Sequence, residues 1–359
     1  MNLFRRKRKP AWAPAPSTEE ILDRTDGLVA DARFDEAIEL LTAANRANAD
    51  IRLELRLVDV RSEAALASEP APVRPEWPDS VADLFPGELI PEVRHGDLTA
   101  EVLHSAMTHH GSLIVRGLIS PERVDRLVAG IDASLAAFDA TEQGAATPEH
   151  VRYYRRFERD RRSNRESKRA NGSIMTVESP AMLFELMESF REAGIPELSE
   201  QYFGERPHLL ARKGTLRRIA AGGNTGGWHQ DGAFMGEGIR SLNVWIALTH
   251  CGDTAPGIDV VGRQLNRIVE TGGGAFSAWA TDPDAAERAA AGALVRPIFD
   301  AGDAILFDHL NLHRTAIDPS MTVDRYAIET WLLSPSTYGS MLIENEQGYS
   351  PRDQVPIAL

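Results

Sequence analysis

Cysteine is nearly missing from this chain, with Cys251 the only one in 359 residues. That excludes an intramolecular disulfide framework and fits a reducing, cytoplasmic compartment. Long apolar runs are missing as well. No stretch approaches the roughly 20 apolar residues a membrane helix requires, so no membrane association is expected. Positive charge is in the minority: Lys and Arg number 39 against 53 Asp and Glu, a formal net charge of −14. Such a chain repels phosphate backbones overall, which argues against nucleic acid as a partner. What is present, 43% hydrophobic and 26% charged residues, can bury one large core and a smaller second one.

Composition divides the chain. Residues 1–16 carry Arg5, Arg6, Lys7, Arg8 and Lys9 with no apolar segment behind them, and read as a disordered basic tail. Residues 17–68 are helical in composition and period, and Ala32 to Leu41 follows the turn and second helix of a tetratricopeptide unit. A single unit cannot bury its own apolar face, so these helices should pack on the rest of the chain, on a partner protein or on a second copy. Residues 69–84, with Pro70, Pro72, Pro75 and Pro78, read as a proline-rich linker. Residues 85–359 form the main domain. Within it, residues 152–169 hold nine cations against Glu158, Asp160 and Glu166, a local balance of +6. This strip suggests either a solvated surface or a dock for an anionic substrate handle, with Tyr153, Tyr154 and Phe157 able to pack it down.

The chemistry concentrates in His229-Gln230-Asp231, followed by His313 and Arg325. With 10 His and 53 acidic residues, about 1.5 His-x-Asp/Glu pairs are expected by chance, so the dyad alone proves little. His95-Gly96-Asp97 is such a decoy: it sits before Thr99-Ala100-Glu101-Val102, a helix start capped by Asp97 or Thr99. The setting of His229 differs. Lys213 to Ala221 reads as a strand, the glycine-rich run 222–227 breaks it, the dyad follows, and Ser241 to Leu248 is an apolar strand. Further on, Gly302-Asp303 turns into the apolar strand Ala304-Ile305-Leu306-Phe307, and the segment His309 to Thr315 alternates with period two. If His313 points inward, Thr315 does too and Arg314 faces away. His309 has the same parity and is the rival ligand. Two imidazoles and one carboxylate on one face of a metal leave positions open, which suits a non-haem Fe(II) oxygenase. Zinc on the same ligands would make a hydrolase, but the arginine has no place in that scheme.

These ordered elements resemble the phytanoyl-CoA dioxygenase-like family of Fe(II)- and 2-oxoglutarate-dependent oxygenases. The likeness rests on His229-Gln230-Asp231, the strand Asn243-Val244-Trp245-Ile246-Ala247-Leu248, Pro256-Gly257, Gly302-Asp303, His313 and Arg325, and extends over roughly residues 85–335. It implies an α+β chain with a double-stranded β-helix (jelly-roll) core and supporting helices. It also implies His229, Asp231 and His313 as iron ligands, and Arg325 on the distal carboxylate of 2-oxoglutarate with Thr315 assisting. Trp245 would be either a co-substrate neighbour or a packing residue, and Arg314 a competitor for the role of Arg325. The family's Pro-Gly-Ser-His stretch is here Pro256-Gly257-Ile258-Asp259. Halogenating relatives carry a small residue in place of the acidic ligand, so Asp231 implies hydroxylation or desaturation of a small organic substrate by O2. The competing reading is an inactive scaffold whose N-terminal helices recruit a partner.

Overall fold

The computed structural model describes residues 16–68, 75–78, 80–160, 163–223, 226–272, 278–340 and 356–359. The basic N-terminal run, most of the proline-rich stretch, and Arg161 and Arg162 therefore lie outside the described residues.

Three helices come first: α1 (Thr18–Ala30), α2 (Phe34–Ala47) and α3 (Ile51–Ala67). Ser17 and Glu20 form a reciprocal capping box on α1, and the Asp50 carboxylate caps α3. Ile21, Ile38, Leu41, Leu53 and Leu57 make a small core between them, with Phe184 of the main domain packed against it. Val58, on another side of α3, joins the main core instead.

The remaining helices are α4 (Ala100–His109), α5 (Pro121–Glu142), α6 (His150–Tyr153), α7 (Arg165–Ala170), α8 (Pro180–Glu192), α9 (Ile195–Phe203), α10 (Gly232–Met235) and α11 (Pro283–Ala290). Thr99 caps α4 through its hydroxyl, and Ser120 caps α5 with Pro121 at its first turn. The strands are β1 (Glu92–Arg94), β2 (Ser112–Arg116), β3 (Ser173–Met175), β4 (His208–Leu210), β5 (Thr215–Ile219), β6 (Ser241–Ala247), β7 (Gly257–Val261), β8 (Leu294–Val295), β9 (Ala304–Phe307), β10 (His313–Ala316), β11 (Arg325–Leu333) and β12 (Pro356–Ala358).

Nine strands form the major sheet, in the order β1-β2-β9-β6-β11-β4-β12, with β5 pairing β11 and β3 pairing β5. The minor sheet is β10-β7-β8. Period-two alternation sorts the major sheet's side chains into two cores. On β6, Leu242, Val244 and Ile246 face the helical layer, together with Leu306, Ile328 and Leu332 from neighbouring strands. Trp245 and Ala247 point the other way, with Ile305, Phe307, Ala327 and Trp331, toward Ile258 and Val260 of the minor sheet. Two sheets packed over an inner apolar layer, with helices backing the larger one, make the double-stranded β-helix expected from the motifs.

The strip at 152–169 is in part anchored to its own protein, while Arg155, Arg156 and Arg159 are exposed. Tyr154 and Phe157 are buried in the main core and Tyr153 packs on its edge. Arg152 pairs with Glu54 of α3 at 2.7 Å, Arg165 with Glu178 at 2.6 Å and Arg169 with Asp139 at 2.6 Å. The cations thus bind the segment to its own protein. Glu54 is fully buried, and besides Arg152 its carboxylate has the Asn45 amide at 3.4 Å. Arg152→Ala should therefore cost about 1–3 kcal/mol in urea unfolding, below the full value for a buried pair because the arginine is partly exposed. Arg155→Ala, at an exposed position, should stay within about 0.5 kcal/mol. Equal costs would place the anchor elsewhere.

Candidate metal and co-substrate site

Backbone pairing brings the two histidines together. His229 and His313 exchange both amide hydrogen bonds at 3.0 Å, so the dyad loop extends the minor sheet beside β10. Their rings lie side by side, with centroids 4.4 Å apart. Asp231 opens the turn into α10, where Gly232 donates its N–H to the His309 carbonyl at 2.8 Å. A side chain at Gly232 would meet Ile268 at 2.7 Å and the His309 ring at 3.0 Å, so this turn requires glycine. Gln230, between the two candidate ligands, is buried and holds the loop: its amide donates to Leu310 at 2.6 Å and Arg267 at 3.0 Å and accepts from Val269 at 2.7 Å.

The donor atoms of His229, Asp231 and His313 all lie within 4.8 Å of one another. Each ring is oriented by a carbonyl: Nδ1–H of His229 donates to Gly227 at 2.8 Å, and Nδ1–H of His313 to Asn311 at 3.1 Å. Carbonyls only accept, so both Nε2 lone pairs are left for a metal, the tautomer that metal-binding histidines adopt. Burial, and then the neighbouring His313, push the His229 pKa down to about 4, which keeps it neutral. Burial alone would raise the Asp231 carboxyl, but the Lys213 ammonium, through its charge and its hydrogen bond, outweighs it and holds the group below the usual carboxylate range. Lys213 Nζ donates to Asp231 Oδ1 at 2.9 Å, while Oδ2 is buried with no partner. Two imidazoles, each with Nδ1 turned to a carbonyl, and a half-satisfied carboxylate converging on one point fit a divalent metal ion.

Arg325 begins β11 and is 1% exposed. One terminal nitrogen donates to the Gly257 carbonyl at 3.0 Å, and Nε and the other terminal nitrogen have no partner. Burial lowers its pKa to about 10, so it remains charged at neutral pH. A buried guanidinium with an open fork fits a carboxylate brought by a ligand. It lies over the Trp245 ring at 5.2 Å, and Trp245 also packs against Phe299 at 5.2 Å. His313, Thr315, Trp245 and Arg325 line one cavity of about 500 Å³ between the two sheets.

The rival residues have other partners. Arg314 sits opposite Asp259 in the β10–β7 register, donates to it at 2.9 Å and stacks on Trp228 at 4.6 Å. His309 is outside the ligand cluster, contrary to its parity. The chain turns at Asp308, whose carboxylate accepts from Leu310 at 2.9 Å and Asn311 at 3.1 Å, so no strand carries the alternation from 309 to 313. Both nitrogens of His309 are engaged, with Ser241 Oγ and the Glu237 carbonyl at 3.0 Å. His95 contacts the Ala193 carbonyl, away from the site.

Four cavity residues had not been singled out from the motifs. Lys213 and Lys168 reach it from outside the sheets; Lys168 belongs to the basic strip read as a candidate dock for an anionic handle, and nothing local in the sequence marks Lys213. Glu329 pairs with Arg217 at 2.6 Å. Asn243 is fully buried with neither amide atom partnered. A lone amide at inward parity in the apolar strand Ser241–Ala247 was the readable signal.

Similar solved structures include the epimerase SnoN in complex with Fe3+, alpha ketoglutarate and nogalamycin RO, at 15% identity over 66% of this chain and 83% of that one, TM-score 0.42. Another is EctD from S. alaskensis with 2-oxoglutarate and 5-hydroxyectoine, at 16% identity over 65% and 76%, TM-score 0.47. A third is EvdO2 from Micromonospora carbonacea var. aurantiaca complexed with 2-oxoglutarate, at 15% identity over 64% and 88%, TM-score 0.43. No curated protein matches the chain. The family model described as phytanoyl-CoA dioxygenase (PhyH) matches residues 107–317, more than half of the sequence. The chain belongs to the phytanoyl-CoA dioxygenase family and is an iron- and 2-oxoglutarate-dependent oxygenase.

Proposed function

We propose that this oxygenase hydroxylates or desaturates an unactivated C–H bond of a small organic substrate, an acyl thioester or natural product, with Fe(II) on His229, Asp231 and His313. The carrying observation is that these converging, unsatisfied donors and the open fork of a buried arginine face the same cavity. Iron with 2-oxoglutarate and O2 supplies the oxidising power when bound, at positions that three protein ligands leave open.

The protein's own groups do the positioning. Lys213 keeps Asp231 ionised and holds one of its oxygens, leaving the other as the ligand atom. Arg325 takes the distal carboxylate of 2-oxoglutarate in a bidentate pair that lysine could not reproduce, and the Thr315 hydroxyl assists on the same carboxylate. Trp245 supports the guanidinium from its flat side. Phe307, Phe234 and Trp279 contribute apolar wall, which keeps water from the reacting centre.

No helix among the described residues is long and apolar enough to cross a membrane, and the buried free thiol of Cys251 suits the reducing cytoplasm we assign to the enzyme. We take residues 17–68 as a helical module and residues 85–359 as the catalytic domain. Since α3 packs on that domain, the outer faces of α1 and α2 are the surfaces for a partner protein or a second copy.

His313→Ala should abolish Fe(II) binding in calorimetry and stop 2-oxoglutarate consumption, whereas His309→Ala should lower the melting temperature but still bind metal. The reverse pattern would make His309 the ligand. Arg325→Ala should raise KM for 2-oxoglutarate by roughly thirtyfold or more, because an unpaired buried carboxylate costs about 2–5 kcal/mol. Arg314→Ala should change that KM less than about threefold, and equal effects would rule out Arg325 as the anchor.

A further inference from the structure

The inner cavity does not end at the iron site. A second cavity of about 1050 Å³, walled by α5, α7 and β5, shares Lys168, Arg217, Gly226 and Thr315 with it. The two adjoin at a neck formed by these shared residues.

The charges around this path are balanced one by one. In the inner cavity Lys213 pairs with Asp231 at 2.9 Å, Arg217 with Glu329 at 2.6 Å, Arg212 with Asp160 at 3.4 Å and Arg314 with Asp259 at 2.9 Å. In the outer cavity Arg169 pairs with Asp139 at 2.6 Å and Arg218 with Asp324 at 3.1 Å. Among the described residues two cations on the path have no carboxylate: Arg325 and Lys168. Arg325 is matched to the co-substrate. Lys168 is left over.

Lys168 lies on α7 at the neck and is half-buried. Its ammonium makes no hydrogen bond or ion pair with a described residue. Burial, and then the nearby Lys213 and Arg217, push its pKa down to about 8, so it still carries its charge at neutral pH. A partly desolvated ammonium among other cations is unfavourable unless an anion arrives from outside. The amide of Asn243, on the wall of the inner cavity and without a partner among the described residues, offers N–H donors and a carbonyl acceptor to a molecule bound there.

We propose that Lys168 binds the anionic group, a carboxylate or a phosphate, of the primary substrate, which enters through the outer cavity and reaches inward to the oxidising centre. The proposal rests on the oxygenase reading for the role of the inner cavity. It makes the substrate class an organic anion whose reacting carbon lies inward of its charge.

The test uses the full-length protein loaded with Mn(II) and 2-oxoglutarate, in a low-salt zwitterionic buffer, titrated with matched pairs: octanoate against octanamide, and phenyl phosphate against phenol. Melting temperature is the readout. At least one anion should stabilise the wild type beyond its neutral partner, and which one does so separates carboxylate from phosphate. Lys168→Met should weaken that anion roughly tenfold or more, and Lys168→Arg, which keeps the charge, should retain it. Uncoupled 2-oxoglutarate turnover by Lys168→Met, followed as succinate release from the Fe(II)-loaded enzyme, should keep its KM. Equal response to anion and neutral partner, no response to any probe, or an anion response that survives Lys168→Met overturns the proposal. A rise in the 2-oxoglutarate KM of Lys168→Met also overturns it, by assigning the lysine to the co-substrate. Failure of the wild type to consume 2-oxoglutarate would sink the oxygenase reading instead, while probe binding would still be measurable.

Discussion

The reciprocal amide hydrogen bonds between His229 and His313 are the constraint on which the site depends. They join a glycine-rich loop to the edge of the minor sheet and set two imidazoles next to each other, although the residues are far apart in the chain. The ring orientation follows from neighbouring carbonyls, at Gly227 and Asn311, each two residues from the histidine it orients. The position of Asp231 follows from the Gly232 amide bond to His309 and from the three hydrogen bonds of Gln230. The candidate ligands are thus held by main-chain geometry before any metal is considered, which is the preorganisation that a metal site with open positions requires.

Charge is managed with equal economy. A chain with an excess of acid lines its cavity with cations, then matches nearly all of them to carboxylates within the same wall. Such pairing keeps individual buried charges from destabilising the fold. It also makes the unmatched groups informative. The open fork of Arg325 lies on the inner cavity and the ammonium of Lys168 on the wall it shares with the outer one, and a cavity that retains unmatched cations is suited to anionic ligands.

The N-terminal helices and the arginine-rich segment serve the same domain from outside. Glu54 of α3 takes Arg152, and Val58 enters the main core, so the helical module is packed onto the oxygenase fold through both charge and apolar area. Part of the positive charge at 152–169 follows from this role: Arg152, Arg169 and Arg165 answer acids on α3, on α5 and at Glu178.

Local pattern in the sequence determined a good deal. The apolar runs Ser241–Leu248 and Ala304–Phe307 marked strands, Thr99 marked a helix start, and the order of His229, Asp231, His313 and Arg325 marked the chemistry, since each of these depends on residues within a few positions or on a fixed motif order. The tertiary structure alone decided the rest. It put His309 outside the cluster of candidate ligands, because the turn at Asp308 breaks the period that parity assumes. It turned Arg314 to Asp259, and it assigned Arg152, Arg165 and Arg169 of the basic strip to internal ion pairs. It also brought Lys213, Lys168 and Asn243 to the cavity. Ion pairs and cavity walls join residues from distant parts of the chain, and the partner of a charge is set by the packing of sheets and helices, for which no local spacing in the sequence is a guide.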